Sequence, residues 1–453
     1  MIKKISLAIA AFCFVGFMDA QETRTLSLSE AIQYALQNKA EATKANLDVR
    51  KGDAQIMQAK AGALPKITAS SSTTYNPLLQ TNVLPGEMFG LPAGQVVEVA
   101  FGQKWVSSNM LQLSQTLFNQ SVFTGLKAAK STKEFYILNK ELTDEQIIDK
   151  VSNTYYQVYK ADQMLDNLDS NLSISEKTIK IIKGLYDAGL AKKIDYDRSI
   201  VGINNIKANK QQLINQKTIS ENTLKFIIGM PIEQGIELPE NTFDASILPE
   251  ETTSTDFIND RTEVKVLNKQ LELLEWQKKA TVAEFYPTAG LTASYGWLGQ
   301  GKKFPWWNGK DNGVYWSDMS SIGLNINIPI FNGFATKAKV ELNQIDIEKA
   351  QTDLKDTQLA LNMAHKNALS SLNNSLIAIN TQQENLHLAE EVLSNTRSNY
   401  QYGLATLNDL LDSERDLADA KNNLTASKLD YKLAEIEYLK SQGKLKTLNG
   451  NTQ

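Results

Sequence analysis

Leu372, Ile379, Leu386, Leu393 and Tyr400 fall seven residues apart, with no glycine or proline between them. Gly403 interrupts, and Leu410, Leu417, Leu424, Tyr431 and Tyr438 resume the same spacing. An apolar repeat of seven sustained this long keeps one seam of a helix against a partner helix. One glycine between two such runs predicts a long antiparallel helical hairpin with its tip near Gly403. The pattern occurs twice. Val151, Val158, Leu165, Leu172, Ile179 and Tyr186 repeat the heptad, and Gly189 follows Tyr186 by three as Gly403 follows Tyr400. Phe118-Asn119 returns 213 residues later as Phe331-Asn332, and Gly189-Leu190-Ala191 returns 214 residues later as Gly403-Leu404-Ala405.

The duplicated unit reads helix, strand, strand, helix, helix. The first copy covers residues 21–229 and the second 256–445, with a connector over 230–255 that carries Pro231, Pro239 and Pro249, and a tail over 446–453. Ser27 and Glu30 have capping-box spacing ahead of an amphipathic helix running to about Ala63, which Gly62 and Pro65 stop. Strands are expected over 66–75 and 99–118 around a loop rich in Gly and Pro. In the second, Leu111, Leu113 and Leu117 alternate with Gln112, Ser114 and Thr116. A helix from about Asn119 to Tyr186 would be on the order of 100 Å long at the usual rise. Another follows from about Asp195 to Ile228. The second copy predicts a helix over 256–284 ended by Pro287, strands over 288–298 and 320–331, and helices over 332–402 and 407–442. Residues 299–318 read as a Gly- and Trp-rich loop.

Residues 1–20 have the pattern of a secretory signal: Lys3 and Lys4, an apolar run from Ile5 to Phe17, and Ala20 before Gln21. Without them the net charge is −5, from 45 basic and 50 acidic residues, and no basic face points to nucleic acid. The one cysteine, Cys13, falls inside this segment, and its flanks do not match a lipoprotein signal. No other run is long and apolar enough for a transmembrane helix. An exported chain can still span a membrane as a β-barrel.

Each half supplies two strands with one apolar and one polar face, as a transmembrane β-strand requires. The cleanest has Ile322, Leu324, Ile326, Ile328 and Ile330 alternating with Gly323, Asn325, Asn327 and Pro329. A half-buried soluble strand shares that pattern, but the export signal favours the membrane. Four strands cannot close around a pore, and an open sheet in lipid leaves its edges unpaired. Several chains must therefore share one barrel, and three would give twelve strands. Trp297, Trp306, Trp307, Tyr315 and Trp316 gather near the third strand and its loop, as aromatics do at a membrane–water interface. The expected fold is all-α dominated with a small β part: a trimeric α-barrel continuous with a twelve-stranded transmembrane β-barrel.

From Leu26-Ser-Leu-Ser-Glu-Ala-Ile to about Leu445, the chain resembles the TolC-like outer-membrane efflux protein family (the outer membrane factors). The most specific residues are Tyr400-x-x-Gly403-Leu-Ala-x-x-x-Asp409-Leu-Leu-Asp412 and the weaker copy Tyr186-x-x-Gly189-Leu-Ala-x-x-x-Asp195. The resemblance implies a homotrimer in the outer membrane with a long periplasmic portion. It also implies an exit duct for a tripartite efflux or type I secretion system, docked to a periplasmic membrane-fusion adaptor and an inner-membrane pump. It assigns adaptor contact to Gly189, Leu190, Ala191, Gly403, Leu404 and Ala405. It assigns an acidic ring at the periplasmic entrance to Asp409 and Asp412, with Asp195 at the matching place in the first copy. Plain helix termination by glycine and helix N-terminal stabilisation by aspartate use the same residues. The family often carries a basic residue where this chain has Ala405, so Lys192 or Lys193 is the candidate counter-charge. Thr116 stands where the second copy has Pro329, so the two strand-to-helix joins should differ.

An enzyme has little to stand on. His365 and His387 are the only histidines, 22 apart on one helix, and no nucleophile elbow, phosphate loop or metal cluster appears. No cofactor and no metal are expected. The other alternative is a non-channel exported coiled-coil structural or adaptor protein, which would need no paired amphipathic strands.

Overall fold

The computed structural model describes residues 24–239 and 257–450. The expected signal segment, residues 240–255 of the connector and the end of the tail lie outside the described residues. The elements in chain order are β1 (Arg24–Thr25), α1 (Leu28–Asn38), α2 (Ala40–Ala61), β2 (Lys66–Tyr75), β3 (Thr81–Pro85), β4 (Val96–Ala100) and β5 (Trp105–Phe118). Then come α3 (Gln120–Asp187), α4 (Lys193–Ile228), β6 (Ile236–Glu237), α5 (Phe257–Asp260), α6 (Thr262–Val282), β7 (Thr288–Gly301), β8 (Val314–Asn327), α7 (Ala335–Gln401) and α8 (Leu407–Ser441). The chain is mostly helical with a small antiparallel part. Two compact units divide it: Met1–Asp48 with Ile137–Leu267 and Asp353–Gln453, and Val49–Tyr136 with Asn268–Thr352.

In the first unit the heptad residues Val151, Val158, Leu372, Leu393, Leu410, Leu417, Leu424, Tyr431 and Tyr438 are buried. Leu165, Leu172 and Ile179 are only half-buried and Tyr186 is exposed, so the first-copy seam is less covered within one chain. The largest cluster joins Leu26, Ile32, Ile147, Val151, Tyr155, Leu224, Ile228 and Ile436. Ser27 and Glu30 form the capping box of α1. The helix expected to run on to Ala63 instead breaks at Lys39, whose backbone is extended (φ −68, ψ 134). There the Lys39 ammonium donates to the Phe226 carbonyl at 2.8 Å and lies 4.0 Å over the Phe226 ring. The helix expected over 256–284 is likewise interrupted at Arg261, between α5 and α6. A two-residue parallel pairing of β1 with β6 was invisible to any periodicity argument.

The second unit holds a four-stranded antiparallel sheet in the order β2-β5-β7-β8. Its register aligns Ile67, Leu113, Ala293 and Ile322 across all four strands, so these share one face. Lys66, Ser114, Thr292 and Gly323 align on the other. Four strand boundaries depart from expectation. The strand expected from residue 99 begins at Trp105, because Val96–Ala100 pairs with Thr81–Pro85 in a separate hairpin inside the supposed loop. Much of the supposed 299–318 loop is ladder, since β7 reaches Gly301 and β8 starts at Val314. Glycine obscures the alternation there for a packing reason: a Cβ on Gly299 would lie 2.8 Å from the Trp316 ring. The fourth strand ends at Asn327, leaving Ile328, Pro329 and Ile330 outside the ladder. Pro329 has no N–H to give, and the partner strand starts only at Thr288, after Pro287. The first-copy join bends by another device, a register shift between Thr116 and Phe118.

Candidate functional site

Both hairpin tips close in the same way. Gly189 and Gly403 each have φ +75, a left-handed conformation that costs a residue with Cβ. Leu190 N–H donates to the Leu185 carbonyl at 2.8 Å and Gly189 N–H to Tyr186 at 2.9 Å. In the second copy Leu404 N–H donates to Asn399 at 2.8 Å and Gly403 N–H to Tyr400 at 3.0 Å. These are two Schellman caps, which satisfy the last carbonyls of α3 and α7. The residue after such a glycine usually packs back on its own helix. Here Leu190 and Leu404 are each 78% exposed. An apolar side chain is held outward at each tip by a rigid turn, while Ala191 and Ala405 are half-buried beside it.

The two tips meet at a cleft of about 450 Å³ lined by Leu185, Lys192, Asp195, Tyr400, Ala405 and Thr406, among others. Arg198 Nη1 donates to Asn408 Oδ1 at 2.9 Å and bridges α4 to α8. Tyr400 is half-buried; its phenol is pushed upward first by burial and then by the Asp195 carboxylate. Beneath the cleft Leu393, Leu410 and Leu417 pack with Ile174, Leu386 and Tyr400.

The expected carboxylates are in unlike settings. Asp409 is the N3 residue of an α8 capping box: it accepts from Thr406 N–H at 2.8 Å and Thr406 Oγ1 at 2.7 Å. Those two bonds hold its pKa below the ordinary carboxylate value. Asp412 is exposed and engaged by Arg415 on the same helix. Asp195 lies in the first turn of α4 and is half-buried. Neither Lys192 nor Lys193 has a carboxylate within 4.0 Å among the described residues.

Sequence reasoning missed a buried acid above the tips. Glu414 is 6% exposed. It accepts from Ser175 Oγ at 3.0 Å and from Thr178 Oγ1, and Arg397 approaches it to 3.9 Å. The signal was present, since Glu414 falls four residues after Leu410 and three before Leu417, on the apolar stripe. His365 is buried, with Nδ1 2.9 Å from Ser441 Oγ and its ring against Phe257 and Tyr438. His387 is exposed beside Glu391. Among the described residues no three His, Cys, Asp or Glu side chains are grouped to hold a metal ion. Trp297, Trp306, Trp307 and Trp316 are all exposed at one end of the sheet.

The profile of the family described as "Outer membrane efflux protein" matches residues 31–230 and 256–443, one segment in each copy. The chain belongs to the outer membrane efflux protein family. It is 20% identical to the outer membrane protein TolC of Salmonella enteritidis over 451 residues, covering 98% of this chain and 87% of that one. It is 22% identical to the pyoverdine export outer membrane protein OpmQ of Pseudomonas aeruginosa, covering 94% and 85%. The fold is similar to that of CusC (TM-score 0.74, 17% identity, 93% of each chain). It is also similar to that of VceC from Vibrio cholerae (TM-score 0.72, 17% identity, 92% and 96%). The protein is thus an outer-membrane efflux channel component by family, and a free coiled-coil rod or adaptor is not favoured.

Proposed function

We propose that three copies of this chain close their sheets into a twelve-stranded barrel in the outer membrane and continue it into the periplasm as a helical duct. The observation that carries this reading is the sheet itself. β2 and β8 are its outer strands, and nearly every residue of both is exposed. Ile322, Leu324 and Ile326 stand bare on the face shared with Ile67, Leu111 and Leu113. Unpaired strand edges are a liability in water and costly in lipid, and a bare apolar face is costly in water; joining edges between chains removes the first and lipid covers the second.

In this reading the duct is passive. The outward Leu190 and Leu404 take the tips of a periplasmic adaptor, which links the duct to an inner-membrane pump. Asp409, Asp412 and Asp195 from three chains ring the entrance and draw cations into it. The relatives' names support such a path, since OpmQ is called a pyoverdine export protein. Detergent extracts run unheated on a gel test the assembly. A trimer that falls to monomer only on boiling, and that gives stepwise conductance in a planar bilayer, is expected. A single-chain species without conductance overturns the reading.

A further inference from the structure

The face of the sheet that bears Ile322 and Leu324 also holds a notch of about 530 Å³, walled by Trp297, Trp306, Trp316, Leu111 and Ala69 over Asn109. Trp306 comes from the β7–β8 loop and sets its ring edge-on to Trp316 at 6.0 Å. The polar groups beneath are already bonded to one another. Trp306 Nε1 donates to Thr73 Oγ1 at 3.1 Å, Thr73 meets Ser107 at 2.9 Å, Asn109 Nδ2 donates to Ser107 at 3.4 Å, and Ser71 donates to Asn109 Oδ1 at 2.6 Å. The notch therefore offers hydrocarbon and aromatic surface with few free donors or acceptors. A hydroxyl-rich ligand would find little to bond there, and an acyl chain needs nothing more.

Charge lies just beyond it. Trp105 pairs with Gly301, so Lys104 on one strand and Lys302 and Lys303 on the other leave the ladder at the same rim. Lys303 donates to Asn312 at 3.4 Å, and none of the three has a carboxylate within 4.0 Å among the described residues. In a chain of net charge −4, the 302–313 loop carries three lysines against one aspartate. From Lys104 to Asn109 is about 17 Å along a strand. The usual tilt of ~45° reduces that to roughly 12 Å of depth, the reach of a headgroup and its first acyl carbons.

We propose that this notch and rim bind a lipid with a net negative, phosphorylated headgroup, its chain among Trp297, Trp306 and Trp316 and its phosphate on Lys104, Lys302 and Lys303. The proposal rests on the sheet being the barrel wall. The test reconstitutes the full chain in vesicles and measures tryptophan quenching by brominated phosphatidylglycerol against brominated phosphatidylcholine. The anionic lipid should be preferred about tenfold, in line with polybasic clusters at membrane surfaces. Lys104→Gln with Lys302→Gln and Lys303→Gln should reduce that preference to near one, with trimer mass and conductance unchanged. Equal quenching by both lipids in the wild type, or a preference that survives the triple change, overturns this proposal alone. No quenching by either lipid overturns the barrel reading and the proposal with it.

Discussion

Ser175 Oγ, on α3, donates to Glu414 Oε2, on α8, at 3.0 Å. Thr178 bonds the other oxygen and Arg397 stands beside it from α7, so one buried carboxylate ties three helices together above the tips. Removing it leaves the buried Thr178 hydroxyl without its acceptor and takes the carboxylate away from the half-buried Ser175 and Arg397. Glu414→Ala should cost about 1–3 kcal/mol, and Glu414→Gln less, because an amide oxygen still accepts from one hydroxyl. Hydrogen exchange over residues 174–186 and 407–417 is the measurement. Protection in the Ala variant equal to wild type would show that the cluster holds nothing.

Leu190 and Leu404 contribute little to stability because they face solvent. Leu190→Ser with Leu404→Ser should leave trimer melting unchanged within about 0.5 kcal/mol. Capture by a purified adaptor should nevertheless weaken at least tenfold. Undiminished capture would remove these leucines from the docking surface.

The Asp409 cap depends on pH in a defined direction. Its folded pKa is lowered by the two Thr406 bonds. Its stabilising effect is complete above the unfolded value of 3.8 and is lost as pH falls through the folded value. Thr406→Ala should cost about 1 kcal/mol at neutral pH and flatten this acid dependence at the start of α8. Local exchange rates of residues 407–410 between neutral and acid pH report both effects.

Replacing Asp409 and Asp412 together by Ala should raise single-channel conductance and abolish block by multivalent cations. The Arg415 partner of Asp412 should make the single Asp412→Ala change the milder of the two. Cation block that persists in the double variant would place the constriction elsewhere.

Adjacent residues of β8 should respond oppositely to the same charge. Ile322 shares a face with Ile67 and Leu113, whereas Ser321 pairs with Ser294 on the other side. Ile322→Arg should cost on the order of 2–4 kcal/mol if it faces mid-bilayer lipid, and Ser321→Arg far less. Heat-resistant trimer yield in the outer membrane distinguishes them. Equal yields would mean that this face does not meet lipid.

The first unit should lose stability in mild acid through His365. Burial lowers its pKa, and the Arg261 guanidinium lowers it further. The unfolded chain takes up the proton first, so stability is full above the ordinary value of 6.5 and falls as pH drops below it, until the folded value is passed. His365→Gln, which can still meet Ser441, should show a smaller loss of melting temperature from about pH 7 to pH 5.

The heptads and turn glycines determined the helical hairpins and their duplication by themselves, because a periodic apolar seam needs only local spacing to be read. Gly189 and Gly403 could be placed for the same reason: a left-handed turn leaves its mark at one residue. The four-stranded composition was legible from alternation. Its boundaries were not, since Pro329 and Gly299 act through partners distant in sequence. Tertiary structure alone decided that Lys39 leaves its helix to reach Phe226, and that Glu414 is buried among residues from α3 and α7. It also decided that Trp306 folds back over Trp316 and Thr73. In each case the controlling contact joins side chains whose meeting is set by how elements pack, and no local pattern encodes that.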